Sequence, residues 1–143
     1  MRRKQKGLKV LFNASVVLAG IKSPTGASGE LIRWVKGRKM NGVISELILE
    51  EAVRHADKIG LSVEEMRAKS KSIFEISPAP GEEIVEVYKR VVIDFGDAHV
   101  LAAAVTEKCN VLVTLDKKHL LVLKGKVKGV RILSPGELIS QCR

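Results

Sequence analysis

Apolar positions along the chain fall into short runs separated by polar breaks. Lys9 to Phe12 opens a nearly continuous Val- and Leu-rich stretch that reads as a buried strand. Ser23-Pro24-Thr25-Gly26 breaks the chain, after which Leu31, Ile32, Trp34 and Val35 give Glu30 to Lys39 a helical spacing. Asn41 to Ile44 predicts a second strand. Ser45 is placed to cap a helix from Glu46 to about Lys58, stopped by Gly60, and Ser62 to cap another from Val63 to about Ser72. Ser77-Pro78-Ala79-Pro80-Gly81 is a second clear break.

Beyond it, Glu82 to Arg90 reads as a short helix, and Val91 to Ile93 fits a strand equally well. Asp97 opens an alanine-rich helix through Glu107, and Asn110 to Leu115 is the second strong buried strand. Lys117 to Leu123 predicts a short helix and Lys128 to Leu133 a last strand. Ser134 then caps a final helix beginning at Pro135. Strands alternating with helices imply βαβ units, and hence an α/β fold of three layers, α/β/α, around a mainly parallel sheet.

Composition adds bounds. At 143 residues, with 45% apolar side chains, the chain fits one domain (1–143) with a real core, which excludes a disordered chain. No apolar run reaches the roughly 18–20 residues of a membrane span. The start is basic, but the polar interruptions at Asn13 and Ser15 and the lack of a clear A-x-A-like cleavage site argue against a secretory leader. Two distant cysteines, Cys109 and Cys142, suit a reducing, cytoplasmic setting. The spacing of His55, His99 and His119 suggests no metal cage, so they read as surface or boundary residues. The formal charge of +9 changes the picture most, because it points to a polyanionic partner, most simply nucleic acid.

In an open parallel sheet, ligands gather at the carboxyl ends of the strands. The two strongest strands both end there in a polar side chain, Asn13 and Asp116, and Asp97 begins the helix preceding the second. On the helix after Ser45, a rotation of about 100° per residue turns Glu50 away from the apolar stripe of Ile48, Leu49, Ala52 and Ala56. Glu51 falls on the flank of that stripe and can reach a cleft edge. Clustered carboxylates with no His or Cys among them suit a hard cation such as Mg²⁺ or Mn²⁺, which can activate water against a phosphate. An acidic centre on a basic exterior is the pattern of a metal-dependent nuclease. A set of helix caps on a basic surface is the plainer alternative.

Five segments together resemble the PIN domain family. Lys9-Val10-Leu11-Phe12-Asn13-Ala14-Ser15 is similar to its opening strand, and Val43-Ile44-Ser45 followed by Glu51 to its second motif. Asp97-Ala98-His99-Val100-Leu101-Ala102-Ala103-Ala104 resembles the third, and Val111-Leu112-Val113-Thr114-Leu115-Asp116 with Lys117-Lys118-His119-Leu120 the fourth. Ile132-Leu133-Ser134-Pro135-Gly136-Glu137-Leu138 fits the close. The resemblance, nearest to stand-alone prokaryotic VapC-like toxins, implies a Mg²⁺- or Mn²⁺-dependent endoribonuclease. It assigns catalytic and metal-binding roles to Asn13, Glu51, Asp97 and Asp116, an auxiliary role to Asp94, and hydrogen-bonding roles to Thr114 and Ser15. Lys117 and Lys118, with Arg33, Lys36 and Arg38, would steer RNA. A homodimer and an antitoxin partner are implied too. The departure is Asn13, where the family places Asp. An amide brings no charge and its NH₂ half repels a cation, so a weakened domain that binds RNA or protein without cutting is the competing expectation.

Overall fold

A computed structural model describes residues 7–142. Five strands form one sheet, β1 (Lys9–Phe12), β2 (Asn41–Ser45), β3 (Glu75–Ser77), β4 (Val111–Val113) and β5 (Arg131–Leu133). Their order is β3-β2-β1-β4-β5 and every pairing is parallel. Among the described residues, seven α-helices connect and cover them: α1 (Ala14–Lys22), α2 (Ala27–Lys36), α3 (Glu46–Arg54), α4 (Val63–Ile73), α5 (Glu82–Lys89), α6 (Ala98–Thr106) and α7 (Pro135–Cys142). None of them is long and apolar enough to cross a membrane. The expected α/β class and parallel sheet are both present.

The core is built on the central strands. Val10, Leu11 and Phe12 of β1 and Val111, Leu112 and Val113 of β4 are wholly buried, as a strand covered on both faces requires. Helices α1, α2, α3 and α4 pack among themselves, and α7 packs against α2. α5 and α6 form a second group, with α6 lying on β1 and β4. Successive strands step from β1 to β2 to β3 in one direction, and the chain then crosses over to β4 and β5. With right-handed crossovers, that reversal puts the topological switch point between β1 and β4.

Several elements differ from the sequence pattern. Residues 14–22 continue the apolar run as helix α1 rather than strand, with Asn13 as N-cap. Nearly every position there is apolar, so the buried side (Ala14, Val16, Val17, Gly20) carries no visible period. A Cβ on Gly20 would stand 2.9 Å from the Ser28 carbonyl oxygen, so this glycine sets how closely α1 and α2 approach. The helix after Ser45 ends at Arg54 and gives way to a 3₁₀ turn, Ala56–Ile59, closed by Gly60 at φ 78°. The three-residue edge strand β3 was not predicted. Val91 to Ile93 is not a strand, the segment from Lys117 is a turn followed by a 3₁₀ helix at Leu121–Leu123, and the last strand begins at Arg131 rather than Lys128.

Candidate metal centre

The register of β1 on β4 pairs Phe12 with Val113, so the residues just beyond, Asn13 and Thr114, leave the sheet side by side at the switch point. Asn13 is 8% exposed and its amide is engaged at both ends. Its Oδ1 accepts the Ala14 N–H at 3.0 Å, and its Nδ2 donates to Thr114 Oγ1 at 2.9 Å. Thr114 Oγ1 also accepts the Asp116 N–H at 3.1 Å, while the Leu115 N–H donates to Ser15 Oγ at 3.3 Å. Thr114 and Ser15 thus grip the backbone of the turn carrying Asp116 instead of bonding to its carboxylate.

Asp116 organises that turn. Its Oδ1 accepts the backbone N–H groups of Lys118 and His119 at 3.1 and 3.0 Å, and its Oδ2 lies 3.3 Å from His119 Nδ1. Asp94 performs a similar local task, accepting the Gly96 N–H at 2.9 Å within the 3₁₀ turn Phe95–Asp97. That turn delivers Asp97 to the start of α6. Asp97 makes no side-chain capping bond there, so the plain capping role considered for it does not apply.

Ligand atoms of Asp94, Asp97 and His119 all lie within 4.8 Å of one another. One cation with bonds of about 2.0–2.6 Å can bridge such a spread. His119 is a boundary residue, as the sequence pattern expects, and the turn that sets it three residues after Asp116 also brings its ring beside Asp94 and Asp97. Asp94, expected as an auxiliary acid, is one of the three. Glu51, Asp116 and Asn13 are not among these three, yet two of them are felt there. Asp97 has its pKa raised to about 6, first by burial, then by the charges of Asp116 and Asp94, with Glu51 adding to the rise and His119 opposing it. Carboxylates that hinder one another's ionisation in a half-buried site are matched to a bound cation. The two carboxylates of the set fit a hard divalent ion, and the His119 nitrogen adds a softer donor.

Glu51 is half-buried, as its place on the flank of α3 predicts, whereas Glu50 faces outward and is paired with Arg67 at 2.5 Å. A second histidine feels the Glu51 charge. His99, on α6, has a buried Nδ1 without a hydrogen-bond partner, and burial holds its pKa below the usual imidazole value. Lys117 and Lys118 are exposed beside the acids and form no ion pair among the described residues. The other expected cations sit elsewhere. Arg33 donates to the Pro24 carbonyl, and Arg38 rims an opening of about 510 Å³ with Val35, Asn41 and Gly42 at the amino end of β2, opposite the acids.

The PIN domain family matches residues 9–118 of this sequence, a span holding Asn13, Glu51, Asp94, Asp97 and Asp116. Comparison with curated proteins returns no match. Among solved structures, the chain is similar to PAE2754 from Pyrobaculum aerophilum, with 22% identity over 94% of each chain and a TM-score of 0.63. That likeness concerns the fold. PIN domains are generally nucleases and typically bind divalent metals, which agrees with the donor chemistry at the switch point. With more than half of its length matched, this chain belongs to the PIN domain family.

Proposed function

We propose that the protein is a Mg²⁺- or Mn²⁺-dependent endoribonuclease. The observation that carries this reading is the convergence of Asp94, Asp97 and His119 donor atoms within 4.8 Å, at a half-buried place where burial and then the charges of Asp116, Asp94 and Glu51 raise the Asp97 pKa. A divalent ion bound there supplies positive charge for a phosphodiester under attack by water. The chain's own residues do the rest. Asp94 and Asp97 face the ion, Asp116 orients the His119 ring, and Glu51 adds negative charge at the cleft edge. Lys117 and Lys118 hold the RNA backbone alongside.

A second reading rests on Asn13. Both ends of its amide are already committed to Ala14 and Thr114, and it brings no charge where the family has a carboxylate. That favours a weakened PIN domain that binds RNA or a protein partner. Measuring cleavage of single-stranded RNA with Mn²⁺, for this chain and for Asn13→Asp, separates the two. Cleavage that appears or rises with Asn13→Asp supports the nuclease. An inert Asn13→Asp that still binds RNA ends that reading.

The toxin role belongs to the same proposal. It requires an antitoxin segment over the cleft and predicts a small neighbouring gene. Exposed Ile84, Val87, Val91, Ile93 and Phe95, from α5 to the edge of the acid cluster, supply an apolar surface for such a partner or for a second copy in a homodimer.

A further inference from the structure

We infer that the connection from β4 to β5 is a phosphate track that carries single-stranded RNA away from the acid cluster. The inference rests on the nuclease reading for the identity of the polyanion. Residues 117–131 contain six of the chain's 25 Lys and Arg side chains and no Asp or Glu. The segment starts at the Asp116 turn, at the carboxyl end of β4. It finishes at Arg131, which pairs in register with Val111 at the amino end of that strand. The cations therefore run from the acid end of the sheet down its β5 edge.

A solvated basic face is the plainer account, and two observations weigh against it. The segment is anchored rather than loose. Leu120, Leu123, Val127 and Val130 are buried, and backbone bonds from Lys124 to Leu121, Lys126 to Leu123 and Arg131 to Asn110 fix its path. Gly125 and Gly129, at φ 79° and 84°, make the two bends that L side chains resist. Second, Lys124, Lys126 and Lys128 alternate outward around buried Val127, with the intervening chain bordering a hollow of about 450 Å³. Lys124 is held by Glu137 and Arg131 by Gln141, but Lys117, Lys118, Lys126 and Lys128 have no ionic partner among the described residues. An unpaired row of cations on a fixed backbone suits a chain of phosphates, which releases counterions on binding.

The test uses full-length protein, a fluorescein-labelled single-stranded RNA 20-mer in EDTA, and anisotropy across a KCl series. Lys126→Gln with Lys128→Gln should weaken binding about tenfold and lower the salt slope by about 1.4, since each single-strand phosphate contact contributes about 0.7. Lys69→Gln with Lys71→Gln, the same loss of charge on α4 beside the opposite edge of the sheet, should change it little. Equal effects from both pairs, or none from the first, overturn the track. Hydrolysis of bis(p-nitrophenyl) phosphate with Mn²⁺, measured in the Asn13→Asp background, reads the acid cluster alone and should be unaffected by the β5-edge substitutions. If that small ester is never cleaved while the RNA effect persists, the nuclease reading fails and the track stands.

Discussion

Asn13 Nδ2 donates to Thr114 Oγ1 at 2.9 Å, joining the ends of two adjacent parallel strands that lie 101 residues apart in the chain. The direction of that bond is dictated by the amide. An aspartate at position 13 has no proton to give, so the Thr114 hydroxyl would have to become the donor and still accept the Asp116 N–H. The geometry can accommodate either residue, and only the charge differs.

Asn13→Asp should therefore preserve the fold and tighten Mn²⁺ binding by tenfold or more, by analogy with the roughly 10–100-fold cost of removing even an outer metal-site partner. Isothermal titration with Mn²⁺ reads this directly. Unchanged affinity would show that position 13 lies outside the ion's reach.

Asp97→Asn should stabilise the metal-free protein at pH 7.5. A carboxyl whose folded pKa is raised to about 6 favours folding below its ordinary value near 4 and loses that contribution as pH rises through 6. The asparagine has nothing to ionise, so its gain appears only above that window, at about 1–2 kcal/mol after allowing for solvent around a half-buried group. Urea denaturation at pH 7.5 and pH 3.5 should show the difference at the first and none at the second. Saturating Mn²⁺ should reverse the order at pH 7.5.

Glu51→Gln and Glu50→Gln are adjacent substitutions with opposite expected outcomes. Removing the half-buried carboxylate should cut RNA cleavage about 10–100-fold, and should bring the Asp97 carboxyl closer to its ordinary pKa. Removing the exposed one, engaged with Arg67 on the outer face, should leave cleavage unchanged. Equal losses would mean that the flank of α3 does not face the site.

Gly20→Ala poses a contest between two effects. Helix propensity favours alanine by about 1 kcal/mol, but the new methyl would meet the Ser28 carbonyl oxygen at 2.9 Å. Backbone yields less easily than a side chain, and overpacking costs about 1–3 kcal/mol. A net destabilisation of about 1–2 kcal/mol is expected, and a raised thermal midpoint would show that α1 and α2 can slide apart.

What the sequence revealed follows from how strongly each residue's neighbours constrain it. β1 and β4 were legible because both faces are covered, so Val10 to Phe12 and Val111 to Val113 are all apolar; Asn13 marks the carboxyl end of β1, while β4 ends at Val113, before Thr114, rather than at Leu115. Glu51 was legible because α3 has one buried stripe against which an angle can be measured. α1 was hidden by the same logic reversed, since Leu18, Ala19 and Ile21 are apolar although only half-buried. Asn13 as its N-cap was the available signal. β3 was invisible because three edge residues with one buried position leave no pattern. The approach of His119 to Asp94 and Asp97 was not legible because it depends on how the Asp116 turn folds back, through backbone bonds that residue type does not announce.

The pairing of β1 with β4 also sets when the protein becomes competent. Position 13 leaves the ribosome early, whereas Asp97, Thr114, Asp116 and His119 follow some hundred residues later. A nascent chain halted before β4 possesses the first strand, the α3 glutamate, most of the helices and both Asp94 and Asp97, yet lacks His119 and the Asp116 turn that complete the donor cluster. For a protein proposed to cut RNA, synthesis is thereby its own safety interval, because the ribosome must pass His119 before the donor cluster can assemble around an ion.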